Sequence, residues 1–225
     1  MSVSTARAGD LDARARQSLG ISGEAIYRTA AAVLADRGAA GTVADIGCGT
    51  GNLRRYLGAA FTRCIGVDAV RYEGLPGDVE FVAADLDRLP LPLPDRAVDV
   101  AAAVEVVEHL ENPRAFCREL ARITRPGGWV VVTTPNQLSV LSLLTLVTRR
   151  RFSAFQDASY PAHLTALLEI DLRRIAAETG LEAVEVRYTG EGRMPGSARH
   201  YPAAASARFP RGLSDNVVLI GRTRG

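Results

Sequence analysis

The stretch Val43-Ala44-Asp45-Ile46-Gly47-Cys48-Gly49-Thr50-Gly51-Asn52 limits the possible folds more than any other part of the chain. A short apolar run of strand character leads into three closely spaced glycines and then a helix start. Only glycine lets the backbone turn that sharply and leaves room for a ligand against it. A turn of this kind, at the carboxyl end of the first strand of an α/β sheet, is where such folds hold a nucleotide-like cofactor. The dinucleotide fingerprint is Gly-x-Gly-x-x-Gly. Here the third glycine comes one residue early and Asn52 stands in its place, which argues against a dinucleotide.

Strand and helix patterns alternate along the chain, as expected for a parallel sheet covered on both faces. Leu11 to Arg37 reads as helical, with Ile26, Ala30, Val33 and Leu34 as its buried stripe. Strands are expected at Val43–Ile46, Cys64–Val67, Val79–Ala83, Val98–Val104 and Trp129–Thr133. Helices are expected at Asn52–Leu57, Pro113–Ile123 and Ile170–Thr179. Pro126-Gly127-Gly128 reads as a turn into the fifth strand. Leu181–Tyr188 and Asn216–Gly221 supply the last two strands. The 225 residues, 47% hydrophobic, suit one domain over 1–225. Within it, 1–41 reads as an N-terminal helical segment, and 137–165 and 190–214 as substrate-side insertions.

Composition excludes several chemistries. All 27 basic residues are arginine, so no Schiff-base lysine, lysine general base or Tyr-Lys pair is available. The net charge of +2 gives no electrostatic footprint for nucleic acid. Cys48, Cys64 and Cys117 are odd in number and lack metal-ligand spacing, which fits a reducing compartment. Arg7, Asp10, Asp12, Arg14 and Arg16 stand near the start without an apolar core segment, and no run has the length of a membrane span. A cytoplasmic location is the expectation.

Carboxylates follow the strand ends. Asp68, closing the second strand, is either the acceptor of two ribose hydroxyls or a surface residue ending a strand. Asp85, after the third, either accepts from an adenine amino group or caps a turn. Gly47–Gly51, with Asp45 two positions ahead, resembles the first motif of the class I S-adenosylmethionine-dependent methyltransferases. Asp68, Asp85, Glu105-Val106-Val107-Glu108-His109 and Arg125-Pro126-Gly127-Gly128 then stand in that family's order. The likeness covers Val43 to Asn136, and more weakly Pro161 to Val186. It implies a Rossmann-like, doubly wound seven-stranded α/β sheet whose last strand pair is antiparallel. It also implies S-adenosylmethionine as cofactor, held by Asp45, Gly47, Cys48, Gly49, Gly51, Asp68, Ala69, Asp85, Leu86 and Glu105.

The Glu-x-x-Glu-His segment resembles two groups of that superfamily, the ubiquinone-pathway O-methyltransferases and the small-RNA 3′-terminal 2′-O-methyltransferases. In the RNA group a downstream histidine completes a metal site, and His163 is the matching candidate here. Three readings stay open. Glu105, Glu108, His109 and His163 hold a divalent cation such as Mg²⁺ or Mn²⁺. Alternatively His109 or His163, with Glu108, serves as a metal-free base. In the third reading Glu105 and His109 only hold helix ends and cofactor. Thr133-Thr134-Pro135-Asn136 is similar to the Ser-Thr-Pro-Asn strand end of the same proteins.

The acceptor is expected to be a small molecule or a glycan- or lipid-linked hydroxyl, with O-methylation favoured over N-methylation. The competing classes are a nicotinamide-dependent oxidoreductase and a non-catalytic cofactor-binding protein. Leu138 to Val147 with Arg149-Arg150-Arg151 reads as a lid, an ordinary packed helix or a membrane-surface contact over 138–151. Phe152, Phe155 and Tyr160 either line an acceptor pocket or pack a loop. Three arginines are too few to argue for RNA. Nothing in the sequence sets the oligomeric state.

Overall fold

The computed structural model describes residues 22–225. The expected helical pattern over 11–21, like the rest of the N-terminal segment before Ser22, lies outside the described residues. Helix α1 spans Glu24–Ala35 and buries Ile26, Ala30, Val33 and Leu34 as expected, with Tyr27 beside them.

Seven strands form one sheet: β1 Gly41–Ile46, β2 Phe61–Asp68, β3 Val79–Ala83, β4 Val98–Ala103, β5 Thr124–Pro135, β6 Glu182–Tyr188 and β7 Asn216–Arg222. Their order is β3-β2-β1-β4-β5-β7-β6. The first five run parallel, and β7 lies antiparallel between β5 and β6. The order reverses between β1 and β4, where Val43 pairs with Cys64 on one side and Val100 on the other. Ligands of open α/β sheets settle in the crevice beyond the strand ends at such a reversal.

Period-two alternation sends neighbouring residues to two separate cores. Ala44, Ile46, Ile65, Val67, Ala101 and Ala103 face one core. Val43, Cys64, Val100, Ala102 and Val131 face the other, which α1 covers. On the first face lie α3, Pro113–Ile123, and α5, Glu169–Glu178. Helix α3 presents Phe116, Leu120 and Ile123, all fully buried. Burying each such side chain contributes about 1.5–3 kcal/mol. Pro113 opens α3, and the Asn112 side chain accepts from the Ala115 amide at 3.0 Å, closing one of the donors left open at a helix start. Helix α2 is the short Asn52–Tyr56, and α4 is Val140–Arg149.

One expectation changes. Pro126-Gly127-Gly128 is a bulge inside β5 and not a turn ahead of it: Val98 pairs with Thr124, but Val100 pairs with Trp129. A Cβ on Gly128 would stand 2.6 Å from the Asp99 carbonyl oxygen, so the close approach of β4 requires glycine there. The 190–214 stretch forms most of the connection between β6 and β7. It carries helix α6, Ala203–Arg208, and a bridge between Arg193 and His200. Cys48, Cys64 and Cys117 are buried free thiols. No helix among the described residues is long and apolar enough to cross a membrane.

Candidate active site

A cleft of about 870 Å³ opens at the carboxyl ends of β1, β2 and β4, within the size range of small-molecule and cofactor sites. Gly47, Asp68, Ala69, Asp85, Leu86, Glu105, Glu108, His109 and His163 all line it. Asp45, Cys48, Gly49 and Gly51 do not line it. Of the aromatic candidates, Phe155 packs on the His163 ring, with centroids 5.3 Å apart, and Tyr160 is exposed to solvent. Neither they nor Phe152 line the cleft; the small residues Ser153, Ala154, Ala158, Ser159 and Ala162 do.

The glycine turn follows from backbone geometry. Gly47, Gly49 and Gly51 have φ of +76°, +51° and +73°, the left-handed region that side chains resist. A Cβ on Gly47 would stand 2.4 Å from Val106 Cγ2, and one on Gly51 2.6 Å from Pro76 Cδ. Val106 and Pro76 thus occupy the side a Cβ would take at these two positions, and the Gly47 backbone lines the cleft. The turn is held from below by Asp68, whose Oδ2 accepts the Gly49 amide at 2.8 Å. Asp68 still faces the cleft. The Asp85 carboxylate accepts from the Asp87 amide at 3.1 Å and pairs with Arg88 at 3.2 Å. It thus caps its turn and also lines the cleft.

The site is strongly acidic. Burial, and then the neighbouring Asp68 carboxylate, push Asp45 up to about 7. Burial raises Asp68 as well. Glu105 is pushed up to about 7 by burial, against the pull of its Thr133 and Asn216 hydrogen bonds. Such a cleft favours a ligand carrying positive charge and disfavours a pyrophosphate.

Glu105 and Glu108 are three residues apart and differ sharply. Glu105 adopts φ +55°. Its amide donates to Thr133 Oγ1, the same hydroxyl donates to Glu105 Oε1, and Asn216 Nδ2 donates to Oε2, all at 2.8–2.9 Å. Its carboxylate is held on both sides, so it stands outside the metal-ligand cluster expected to include it. Glu108, in the 3-10 turn Val107–His109, is 0% exposed. By hydrogen-bond geometry neither of its carboxylate oxygens nor the Thr134 hydroxyl is satisfied among the described residues, although Thr134 stands near enough to pull the carboxyl down. Burial, then the charge of Glu105, hold Glu108 well above the usual carboxylate range.

Two imidazoles complete the cluster. One ligating atom each of Glu108, His109 and His163 lie within 4.8 Å of one another. His109 Nδ1 meets the Ala162 carbonyl and His163 Nδ1 the Ala154 carbonyl, both at 2.7 Å. A carbonyl only accepts, so Nδ1 carries a proton in each ring and Nε2 is the atom left to gain or lose one. Burial lowers His163, keeping it neutral near pH 7.

Sequence reasoning missed several lining residues. Ser22 to Tyr27 wall the cleft from the start of α1 and the two residues before it, and Asp215 approaches from the far end of the chain, whereas Glu191, Arg193 and His200, also in the lining, belong to the 190–214 stretch that the sequence marks as a substrate-side insertion. It also missed Asn216 as the partner of Glu105. Asn136, noted only for its motif, is a latch. Its Nδ2 donates to the carbonyls of Arg211 and Ser214 at 2.7 and 2.8 Å, and its Oδ1 accepts from the Leu138 amide at 3.0 Å. Only the contacts of the folded chain reveal these roles.

Comparison with known proteins shows the family and the fold. The family model described as "Methyltransferase domain" matches residues 22–186. A probable S-adenosylmethionine-dependent methyltransferase of Mycolicibacterium smegmatis is 29% identical over 188 residues, covering 81% of this chain and 68% of that protein. A ubiquinone biosynthesis O-methyltransferase of Burkholderia pseudomallei is 26% identical over 156 residues, covering 64% of this chain and 66% of that protein. The chain thus spans about two thirds of the length of these relatives. The crystal structure of an S-adenosylmethionine-dependent methyltransferase from Archaeoglobus fulgidus superimposes with a TM-score of 0.63 at 19% identity, covering 88% of this chain and 94% of that one, and so shares the fold. The chain belongs to the methyltransferase-domain family and is a class I S-adenosylmethionine-dependent methyltransferase.

Proposed function

We propose that this enzyme methylates a hydroxyl oxygen of a small-molecule, glycan-linked or lipid-linked acceptor, and that Glu108, His109 and His163 form the centre that activates the hydroxyl. The observation that carries this reading is the fully buried Glu108 carboxylate without a hydrogen-bond partner, set against two imidazoles whose Nδ1 protons are tied to carbonyls. A buried carboxyl in that state costs stability unless a cation or a substrate proton meets it. Some relatives are named ubiquinone biosynthesis O-methyltransferases, which supports oxygen as the acceptor atom.

S-adenosylmethionine, when bound, supplies an electrophilic methyl on a positively charged sulfur. The acidic lining suits that charge. Asp68 would hold the ribose and Asp85 the adenine, with Gly47, Ala69, Leu86 and Glu105 shaping the cleft between. As the methyl passes to the acceptor oxygen and S-adenosylhomocysteine is left, Nε2 of His109 or His163 would take the hydroxyl proton. A neutral, positioned imidazole contributes about 10²–10⁴-fold.

The same three side chains fit a divalent cation. Histidines whose Nδ1 protons are fixed on carbonyls are the usual arrangement of metal ligands. Two imidazoles and one carboxylate suit a first-row transition ion, so of the Mg²⁺ and Mn²⁺ named from the sequence Mn²⁺ is the better match. Such an ion, when bound, would lower the pKa of a hydroxyl beside it. The test is methyl transfer from isotopically labelled S-adenosylmethionine to a panel of catechols, glycosides and polyprenyl-linked phenols. It is run after chelation and after add-back of Mn²⁺, Co²⁺ or Mg²⁺. Labelled methyl ether, restored best by Mn²⁺ or Co²⁺, is the expected result. Full activity after chelation removes the cation and leaves the imidazole base. Label found only on nitrogen overturns the hydroxyl assignment.

A further inference from the structure

Helix α4 is built inside out. The one position it buries is Ser142, whose Oγ accepts the Ser153 amide at 3.2 Å and donates to Gln137 Oε1 at 3.4 Å. Val140, Leu143, Leu144 and Val147 face outward, 42%, 42%, 47% and 80% exposed. Their spacing is i, i+3, i+4, i+7, the row that a packed helix turns toward its core. Phe209, 60% exposed, extends the same patch. The Val140 amide donates to the Gly212 carbonyl at 2.8 Å, and Val140 and Phe209 border one shallow apolar depression. These five side chains are most of the large apolar groups exposed among the described residues.

The charge around the patch is one-sided. Residues 137–156 and 192–214 contain seven arginines and no aspartate or glutamate, in a chain whose 27 basic and 25 acidic residues nearly cancel. Arg151, Arg193 and Arg211 pair with Asp157, Asp215 and Glu169. Arg149, Arg150, Arg199 and Arg208 form no ion pair among the described residues.

We propose that the outer face of α4, with the Phe209 loop, docks on a lipid bilayer that contains anionic lipid. The apolar row would enter the boundary between headgroups and acyl chains, and the arginines would meet lipid phosphates. A second copy of the chain is the less suitable occupant, because a two-fold contact would set these uncompensated arginines against their own equivalents. Ser153 and Ala154, just after the helix, line the catalytic cleft, so the docked face is continuous with one wall of it. The proposal stands independently of which acceptor atom is methylated.

The test is flotation of the full chain with vesicles of phosphatidylcholine alone, or with one third phosphatidylglycerol. The expected result is flotation on the anionic vesicles only, and its loss at about 1 M salt, where charge attraction is screened. Leu143→Glu with Val147→Glu should lower the bound fraction about tenfold or more, and Arg149→Glu with Arg150→Glu severalfold, by removing the apolar and the basic contribution respectively. Unchanged S-adenosylhomocysteine affinity in both variants shows that they are folded. Failure of the wild type to float with anionic vesicles overturns the proposal, as does equal flotation of the Leu143/Val147 variant. A concentration-dependent dimer that this variant dissociates, without vesicle binding, assigns the face to a second copy instead.

Discussion

The two sides of the cleft are held by different means. On the side of β1 and β2, the turn is fixed by three left-handed glycines and one carboxylate–amide bond between Asp68 and Gly49, nineteen residues apart. Beyond β4, the walls depend on contacts across the whole chain. Asn216 reaches Glu105 over 111 residues, Asn136 reaches Ser214 over 78, and His109 reaches Ala162 over 53. Polar groups on the first side find partners in nearby backbone. On the second, a fully buried carboxylate, Glu108, is left without one. Local contacts build the first side, whereas the second is closed by long-range contacts around a buried carboxylate.

The largest effects should come from the second side. His109→Ala should reduce turnover about 10²–10⁴-fold, with S-adenosylhomocysteine affinity within a few-fold of wild type. Steady-state kinetics at saturating cofactor measures this, and near-normal turnover would place the chemistry elsewhere. Glu108→Gln keeps the shape and removes the titrating group, and a comparable loss of turnover is expected. On the first side, Asp68→Ala should weaken cofactor binding by about 1.5–3 kcal/mol through loss of charge-assisted hydrogen bonds. An unchanged dissociation constant would refute the ribose role.

Asn136→Ala tests whether the long-range latch serves the acceptor side. It orphans the carbonyls of Arg211 and Ser214, at a cost of about 1–3 kcal/mol in stability. The acceptor KM should rise more than the cofactor KM, and equal rises would deny the division into two sides. The smallest effect is in pH dependence. Asp45, Glu105 and Glu108 are all raised in the folded chain, so it binds more protons than the unfolded chain between the ordinary carboxylate range and about pH 7 or above. Stability of the ligand-free protein from these groups is therefore present at acid pH and lost as pH rises through that window. Glu108→Gln should flatten the fall in Tm between pH 5.5 and 8 by a few degrees, about 2–4 °C per kcal/mol for a chain of this size. A steeper fall would contradict the assignment.

The same contrast explains what could be read from the sequence. The alternation of strands and helices, the glycine turn and the carboxylates at strand ends are local patterns, and the sheet order follows from their succession. The Pro126-Gly127-Gly128 bulge was missed because proline and glycine signal a turn equally well, and only the approach of Asp99 distinguishes the two. Glu105 and Glu108 look alike in sequence, and separating a held carboxylate from a stranded one requires Thr133 and Asn216 in place. The aromatic residues near His163 drew attention by type, yet serine and alanine form the wall. The inverted burial of α4 is invisible to periodicity, because its apolar row looks the same whether it faces the core or solvent.

The central claim is that Asp68 anchors the cofactor while Glu108 and its two histidines act on the acceptor. Calorimetric titration of S-adenosylhomocysteine into wild type, Asp68→Ala and Glu108→Gln tests it most directly. The account predicts binding about 10- to 150-fold weaker in Asp68→Ala and within about threefold of wild type in Glu108→Gln. Equal weakening in both variants, or none in Asp68→Ala, would contradict it.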